Sequence, residues 1–166
     1  MKISENGLEL IKVSEGFVPH AYPDPASGGD PWTIAYGHTV GVRPGDTCTP
    51  AQGDVWLRED SEEDEHIIAQ WVTAPLTQGQ YDALVSFLYN IGPGIAGVHD
   101  GLVWLRSGYH STLLRKLNAS DYAGAAAEFP KWANPPLPGL KIRRAREQLL
   151  FKGGDWRAIH DLMDAA

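Results

Sequence analysis

The stretch Glu15-Gly16-Phe17-Val18-Pro19-His20-Ala21-Tyr22-Pro23-Asp24-Pro25, with Trp32-Thr33-Ile34-Ala35-Tyr36-Gly37-His38-Thr39 behind it, decides the fold. The character of the chain changes at Gly16. Before it, Ser4 reads as an N-cap, Ile3 and Leu8 take the hydrophobic-staple positions, and Leu8, Ile11 and Leu10 supply a buried stripe. A helix is expected from about Ser4 to Glu15, and Gly16 is its natural stop, so Glu15 falls on the final turn. After Gly16, prolines and glycines punctuate short β-prone runs at Phe17-Val18, Ala21-Tyr22, Trp32–Tyr36 and Val40–Val42. That pattern predicts a small antiparallel sheet with tight turns.

Outward from this stretch the chain reads as helical. Thr49-Pro50-Ala51-Gln52 has the form of a capping box with Pro at the first helical position, and predicts a long helix to about Val72, ended by Pro75. The run Glu59-Asp60-Ser61-Glu62-Glu63-Asp64-Glu65 is expected on its solvated face. Thr77-Gln78-Gly79-Gln80 caps a second helix. Its Tyr81, Leu84, Val85 and Leu88 recur at amphipathic spacing, and Gly92-Pro93 stops it. Further helices are expected around Leu113, Leu114 and Leu117, over Tyr122–Phe129, Leu140–Phe151 and Asp155–Met163. Gly94–His110 has no clear period. The class is α+β, read as a single domain over residues 1–166: an N-terminal helix and β lobe (1–48), a connecting helix (49–72) and a helical lobe (73–166).

Bulk properties exclude several functions. The formal net charge of −7 is uneven, with 4 Lys/Arg against 14 Asp/Glu in residues 1–83 and 10 against 7 in residues 84–166. Nucleic acid is a poor partner for such a surface. The one cysteine, Cys48, permits no internal disulfide. The histidines have no ligand spacing, and the acid run lacks the central Gly of a calcium loop, so neither metal nor cofactor is expected. No apolar leader or membrane-length span is visible. The expectation is a monomer made in the cytoplasm, without stable membrane insertion.

Glycoside hydrolysis needs one carboxyl group as general acid and a second to stabilise cationic charge or activate water. Glu15, at a helix end whose partial negative charge favours the protonated form, suits the first role. Asp24, in the polar turn Tyr22-Pro23-Asp24-Pro25, suits the second, and the Thr33 hydroxyl could hold a water against it. Each residue alone also has a plain structural reading: a surface carboxylate, a turn former and a strand-prone side chain.

Their order adds what the single residues lack. Glu15-Gly16, Ala21-Tyr22-Pro23-Asp24 and Trp32–Thr39 resemble the phage-type lysozymes of glycoside hydrolase family 24, which pair a Glu with an Asp nine positions on and follow them with a Thr-Ile-Gly-x-Gly-His segment. Ala83–Phe87 with Asn90-Ile91-Gly92, Ser111–Asn118, and Gly139-Leu140 with Arg143-Arg144 before Glu147 are similar to later blocks of that family. The likeness covers roughly residues 7–152. It implies a lysozyme-like fold with a cleft between the lobes, with Glu15, Asp24 and Thr33 catalytic and Tyr36 and Gly37 at the substrate. It also implies hydrolysis, with inversion, of the β-1,4 bond between N-acetylmuramic acid and N-acetylglucosamine in peptidoglycan. The biological reading is an endolysin that reaches the wall after a separate protein permeabilises the membrane. The alternatives are a non-catalytic peptidoglycan-binding module and a lytic transglycosylase.

Two departures from the family pattern stand out. Eight residues separate Asp24 from Thr33 where five are usual. Gly28-Gly29-Asp30 either lengthens the hairpin or makes Asp30 a rival for the second role. Ala35 replaces a usual Gly, which ordinary strand angles would tolerate. An insertion around His99–His110 reads as a variable surface loop. His38 is expected to brace the β lobe, and most tryptophans to pack. Arg143, Arg144 and Arg146 either meet wall carboxylates or form ion pairs.

Overall fold

The structure is a computed structural model that describes residues 1–25 and 27–160. Helix α1 spans Glu5–Glu15. Ser4 Oγ accepts from the Gly7 N–H, and Gly16 closes the helix at φ 74°, donating to Lys12 O. Both ends follow the sequence reading. Leu8, Leu10 and Ile11 are buried, which at about 1.5–3 kcal/mol each anchors α1 in the main core.

Strands β1 (Val18–Tyr22) and β2 (Thr33–Ala35) pair antiparallel, with Val18 opposite Ala35 and Tyr22 opposite Thr33. The register shifts between these pairs, so β1 carries the extra residues of a bulge. The expected run Val40–Val42 forms no strand. Its place beside β1 goes to Asp46–Cys48, through Ala21 N→Asp46 O and Cys48 N→Pro19 O. The reason is the turn at Arg43–Asp46, closed by Arg43 N→Asp46 Oδ2 and Asp46 N→Arg43 O, which sends the chain back along the hairpin only after Val42. Ala35 also departs from expectation: it lies at φ 57°, in the left-handed region rather than at strand angles.

Helix α2 (Pro50–Trp71) starts on the expected capping box, with the Thr49 side chain on the Gln52 N–H and the Gln52 side chain on the Thr49 N–H. At 1.5 Å per residue it is about 33 Å long. One end lies under the hairpin, where Trp56 joins Phe17, Tyr36, Ile34 and Cys48. The other end enters the main core through Ile68. The acid run is not uniformly solvated: Ser61, Asp64 and Glu65 are buried. They lie on the stripe that carries Leu57 and Ile68, because residues 57, 61, 64 and 68 fall on one helix face.

Helix α3 (Gln78–Ile91) is the centre of the helical lobe, with every residue from Tyr81 to Leu88 buried. It packs against α1 and against α6 (Pro138–Phe151). Between them run α4 (Thr112–Asn118) and α5 (Tyr122–Ala126). The helix expected over Tyr122–Phe129 stops at Ala126 and gives way to a 3-10 turn at Phe129–Trp132, whose Pro130 lacks the N–H an α-helix would use. Of the last expected helix, the structure describes a 3-10 turn at Trp156–Ala158; its end at Met163 lies outside the described residues. Within Gly94–His110 no helix forms, and Leu102 and Val103 are buried. That segment is therefore a packed part of the lobe rather than a surface loop alone. The class is α+β, as the sequence predicts.

Candidate active site

Glu15 arrives at the site because α1 ends there. Its side chain is about a quarter exposed and ion-paired with Arg143 Nη1 from α6, 128 positions away. Arg143 is itself buried, donating through Nη2 to Ser86 O at 3.0 Å and through Nε to Glu147 Oε1 at 3.2 Å. Ser86 Oγ donates to the same Glu147 oxygen at 2.9 Å. Arg144, fully buried, meets Glu147 Oε2 at 3.1 Å and donates to Asn90 Oδ1 at 2.7 Å. Burial pushes Arg144 down to about 10, while the facing Glu147 carboxylate pulls the other way. Arg146 is buried and donates to Ile159 O, while Arg143 and Arg144 thus form with Glu147 an internal ion network that holds Glu15. The i,i+3 and i,i+4 spacing of Glu147 from its two arginines was the signal for it in the sequence.

Asp24 and Thr33 share one end of the hairpin. Tyr22 pairs with Thr33, and Asp24 lies two residues beyond Tyr22. The longer loop closes on Asp24 itself: Asp24 N donates to Gly29 O at 3.0 Å, and Gly28 N donates to Asp24 O at 2.8 Å. Asp24 is half-buried, whereas Asp30 is exposed near the loop's far side, its carbonyl accepting from Ser27 Oγ. The other end of the hairpin, Val18 opposite Ala35, adjoins Glu15 through Gly16 and Phe17. The hairpin therefore connects the two carboxyl groups along its length.

Tyr36 and Gly37 form the turn that leaves β2. The Tyr36 ring packs on Phe17 at 5.3 Å between centroids, with Lys12 Nζ 5.8 Å above it. Its carbonyl accepts from Tyr89 Oη of α3 at 2.9 Å. Gly37 is exposed at φ 102°, and a β-carbon there would come within 3.7 Å of Tyr89 Oη. Tyr89 was not singled out by sequence, yet it ties the hairpin to the helical lobe. Burial, followed by the charges of Asp60, Glu15 and Asp64, pushes its phenol up. His38 braces the β lobe as expected: its ring stacks on Trp56 at 4.7 Å, Nδ1 meets Asp60 Oδ2 at 2.9 Å, and Nε2 meets Val40 O at 3.0 Å. Among the described residues, no group of three or more His, Cys, Asp or Glu side chains is arranged to hold a metal ion.

Helix α1, anchored by one face in the core, ends at Glu15 beside the hairpin and under an arginine from α6, and this arrangement of hairpin and helices is the fold of the lysozyme class. The chain belongs to the phage lysozyme family, whose model matches residues 12–147. It is 42% identical over 159 residues to an endolysin of Acyrthosiphon pisum secondary endosymbiont phage 1, covering 92% of this chain and 99% of that one. An endolysin of Bacillus phage PZA is 39% identical over 93% of this chain, which spans only 56% of that longer protein. Among solved structures, a point mutant of P22 lysozyme superposes with a TM-score of 0.74 at 36% identity, covering 92% of this chain and 99% of that one. The lysozyme-like fold implied by the sequence is the fold observed.

Proposed function

We propose that the chain is an endolysin that hydrolyses the β-1,4 bond between N-acetylmuramic acid and N-acetylglucosamine in bacterial peptidoglycan. Glu15 is the general acid that protonates the leaving oxygen. Asp24 is the base or stabiliser, and Thr33 positions the attacking water beside it. Tyr36 and Gly37 contribute to the glycan-facing turn. The observation that carries the reading is the fixing of Glu15 by Arg143 at the foot of a hairpin whose other end sets Thr33 beside the Asp24 loop. The attachment of that loop to Asp24's own backbone supports Asp24 over Asp30 in the second role.

Clearing of outer-membrane-stripped bacteria tests the acid. Glu15→Gln is expected to reduce lysis by several orders of magnitude, consistent with loss of a general acid together with its charge. Equal clearing by wild type and variant would leave a wall-binding module. Asp24→Ala is expected to reduce activity by a similar order and Asp30→Ala to leave it nearly unchanged; the reverse would move the second role into the loop. Mass spectrometry of the digested wall separates the reactions, since reducing muramic ends mark hydrolysis and anhydro-muramic ends mark transglycosylation. The chain acts as a monomer, made in the host cytoplasm and reaching the wall once another protein has opened the membrane. Among the described residues no helix is long and apolar enough to cross a membrane.

A further inference from the structure

A cavity of about 360 Å³ lies beside the turn at Gly37, bounded by Thr39 of the β lobe, Tyr89 of α3 and Asp60, Glu63 and Asp64 of α2. It is large enough for about one sugar ring or a short aliphatic side chain. None of its lining residues is Lys or Arg, and three are acidic. Asp60 is engaged by His38, and Glu63 stands exposed at the rim. Asp64 differs from both: it is only 8% exposed, it lines the cavity, and no hydrogen bond reaches its carboxyl among the described residues. A carboxyl on so buried a residue ordinarily has a hydrogen-bond donor. Nothing in the proposed acid, base and water arrangement uses it.

We infer that this cavity is a subsite for a primary ammonium group, with Asp64 as the acceptor at its base. The inference rests on the glycan-cleaving reading in placing the cavity beside the substrate turn. A cell-wall polymer offers that chemistry from two sources, a de-N-acetylated amino sugar and the side-chain amine of a stem peptide. The electrostatics agree. Burial, then Glu63 and Asp60, pushes Asp64 up to about 7, with Glu65 adding to the rise and Arg143 of α6 opposing it. His38 faces the group through Asp60, and the Tyr89 phenol closes the α3 side. A cation entering the cavity supplies the charge that Asp64 lacks and draws off its proton.

Isothermal titration of the full chain at about pH 6.5, where a lysine amine is charged, tests this. The probes are a glucosamine tetramer, an N-acetylglucosamine tetramer and a capped peptide with one lysine. At least one amine-bearing probe is expected to bind ~tenfold tighter than the neutral tetramer. Its binding should release a proton, read from titrations in two buffers of different ionisation enthalpy. Asp64→Asn should abolish both the preference and the proton release, and Glu63→Gln should weaken the preference only slightly. Which amine binds identifies the source. Equal binding of charged and neutral probes, or a preference that survives in Asp64→Asn, overturns the inference. Bacterial clearing by Asp64→Asn is read separately, so loss of the subsite is distinguishable from failure of the glycosidase reading.

Discussion

Ala35 and Asp64 show what single residues conceal in a sequence. Ala35 stands in a β-prone run, and nothing in Thr33-Ile34-Ala35-Tyr36 announces a left-handed backbone. A β-branched side chain there would meet both that conformation and a buried site, so Ala35→Val is expected to destabilise the fold by about 2 kcal/mol or more in denaturant titration. Asp64 was read as one member of a solvated run, because its burial depends on how α2 rolls against α3. Its carboxyl stands near 7 in the fold against an ordinary 3.8, so the folded state holds the proton more tightly than the unfolded chain. The stability this contributes is fully present below about 4 and is lost as pH rises through about 7. The span of about three units corresponds to at most about 4 kcal/mol. Wild type should therefore lose more thermal stability between about pH 5 and pH 8 than Asp64→Asn does. Parallel curves for the two proteins would contradict the assignment. The proposed residues Glu15, Asp24 and Thr33 were, by contrast, selected by their spacing rather than by their environment.

At the scale of elements, what the sequence states most clearly is where helices begin. The Thr49 and Thr77 capping boxes form as read, as does the Ser4 cap. These signals are local, a hydroxyl three residues from the N–H it accepts, so no tertiary knowledge is needed. Replacement of Thr77 by Ala is expected to lower stability by about 1 kcal/mol, measurable as a shift in the denaturation midpoint. The segment Gly94–His110 was illegible for the opposite reason: its order comes from close backbone approach. Gly101 N donates to Trp104 O at 2.8 Å, and a β-carbon on Gly101 would fall against the backbone of Pro93 and Gly94. Gly101→Ala should accordingly disrupt the turn after α3 and cost more than the usual surface change of about 0.5 kcal/mol. The third edge of the sheet was misplaced because β-propensity at Val40–Val42 is outvoted by the turn at Arg43–Asp46, which sets where the chain comes back.

Across the whole molecule, long-range polar contacts bind the first helix to the later ones. Ser4 N donates to Asp82 Oδ1 at 2.9 Å, Ile3 N to Glu65 Oε1 at 2.7 Å, and Trp156 Nε1 to Asn6 Oδ1 at 3.0 Å. Glu15 and Arg143 complete this connection at the far end of α1. None of these pairings follows from periodicity, which reports which face of a helix is apolar and not which helix it meets. Removing one member of a buried ion network strands the others, so Glu147→Ala is expected to destabilise by about 3–5 kcal/mol. Glu147→Gln, which keeps the volume and one acceptor, should be milder. Tyr89→Phe severs the hydrogen bond between hairpin and helical lobe and should lower stability by about 1 kcal/mol.

The distance along the chain between Glu15 and its arginine also bears on timing. During translation the acid leaves the ribosome well before the guanidinium that fixes it. A nascent copy thus carries Glu15 without the arm that holds it, and this pairing can form only once α6 has emerged.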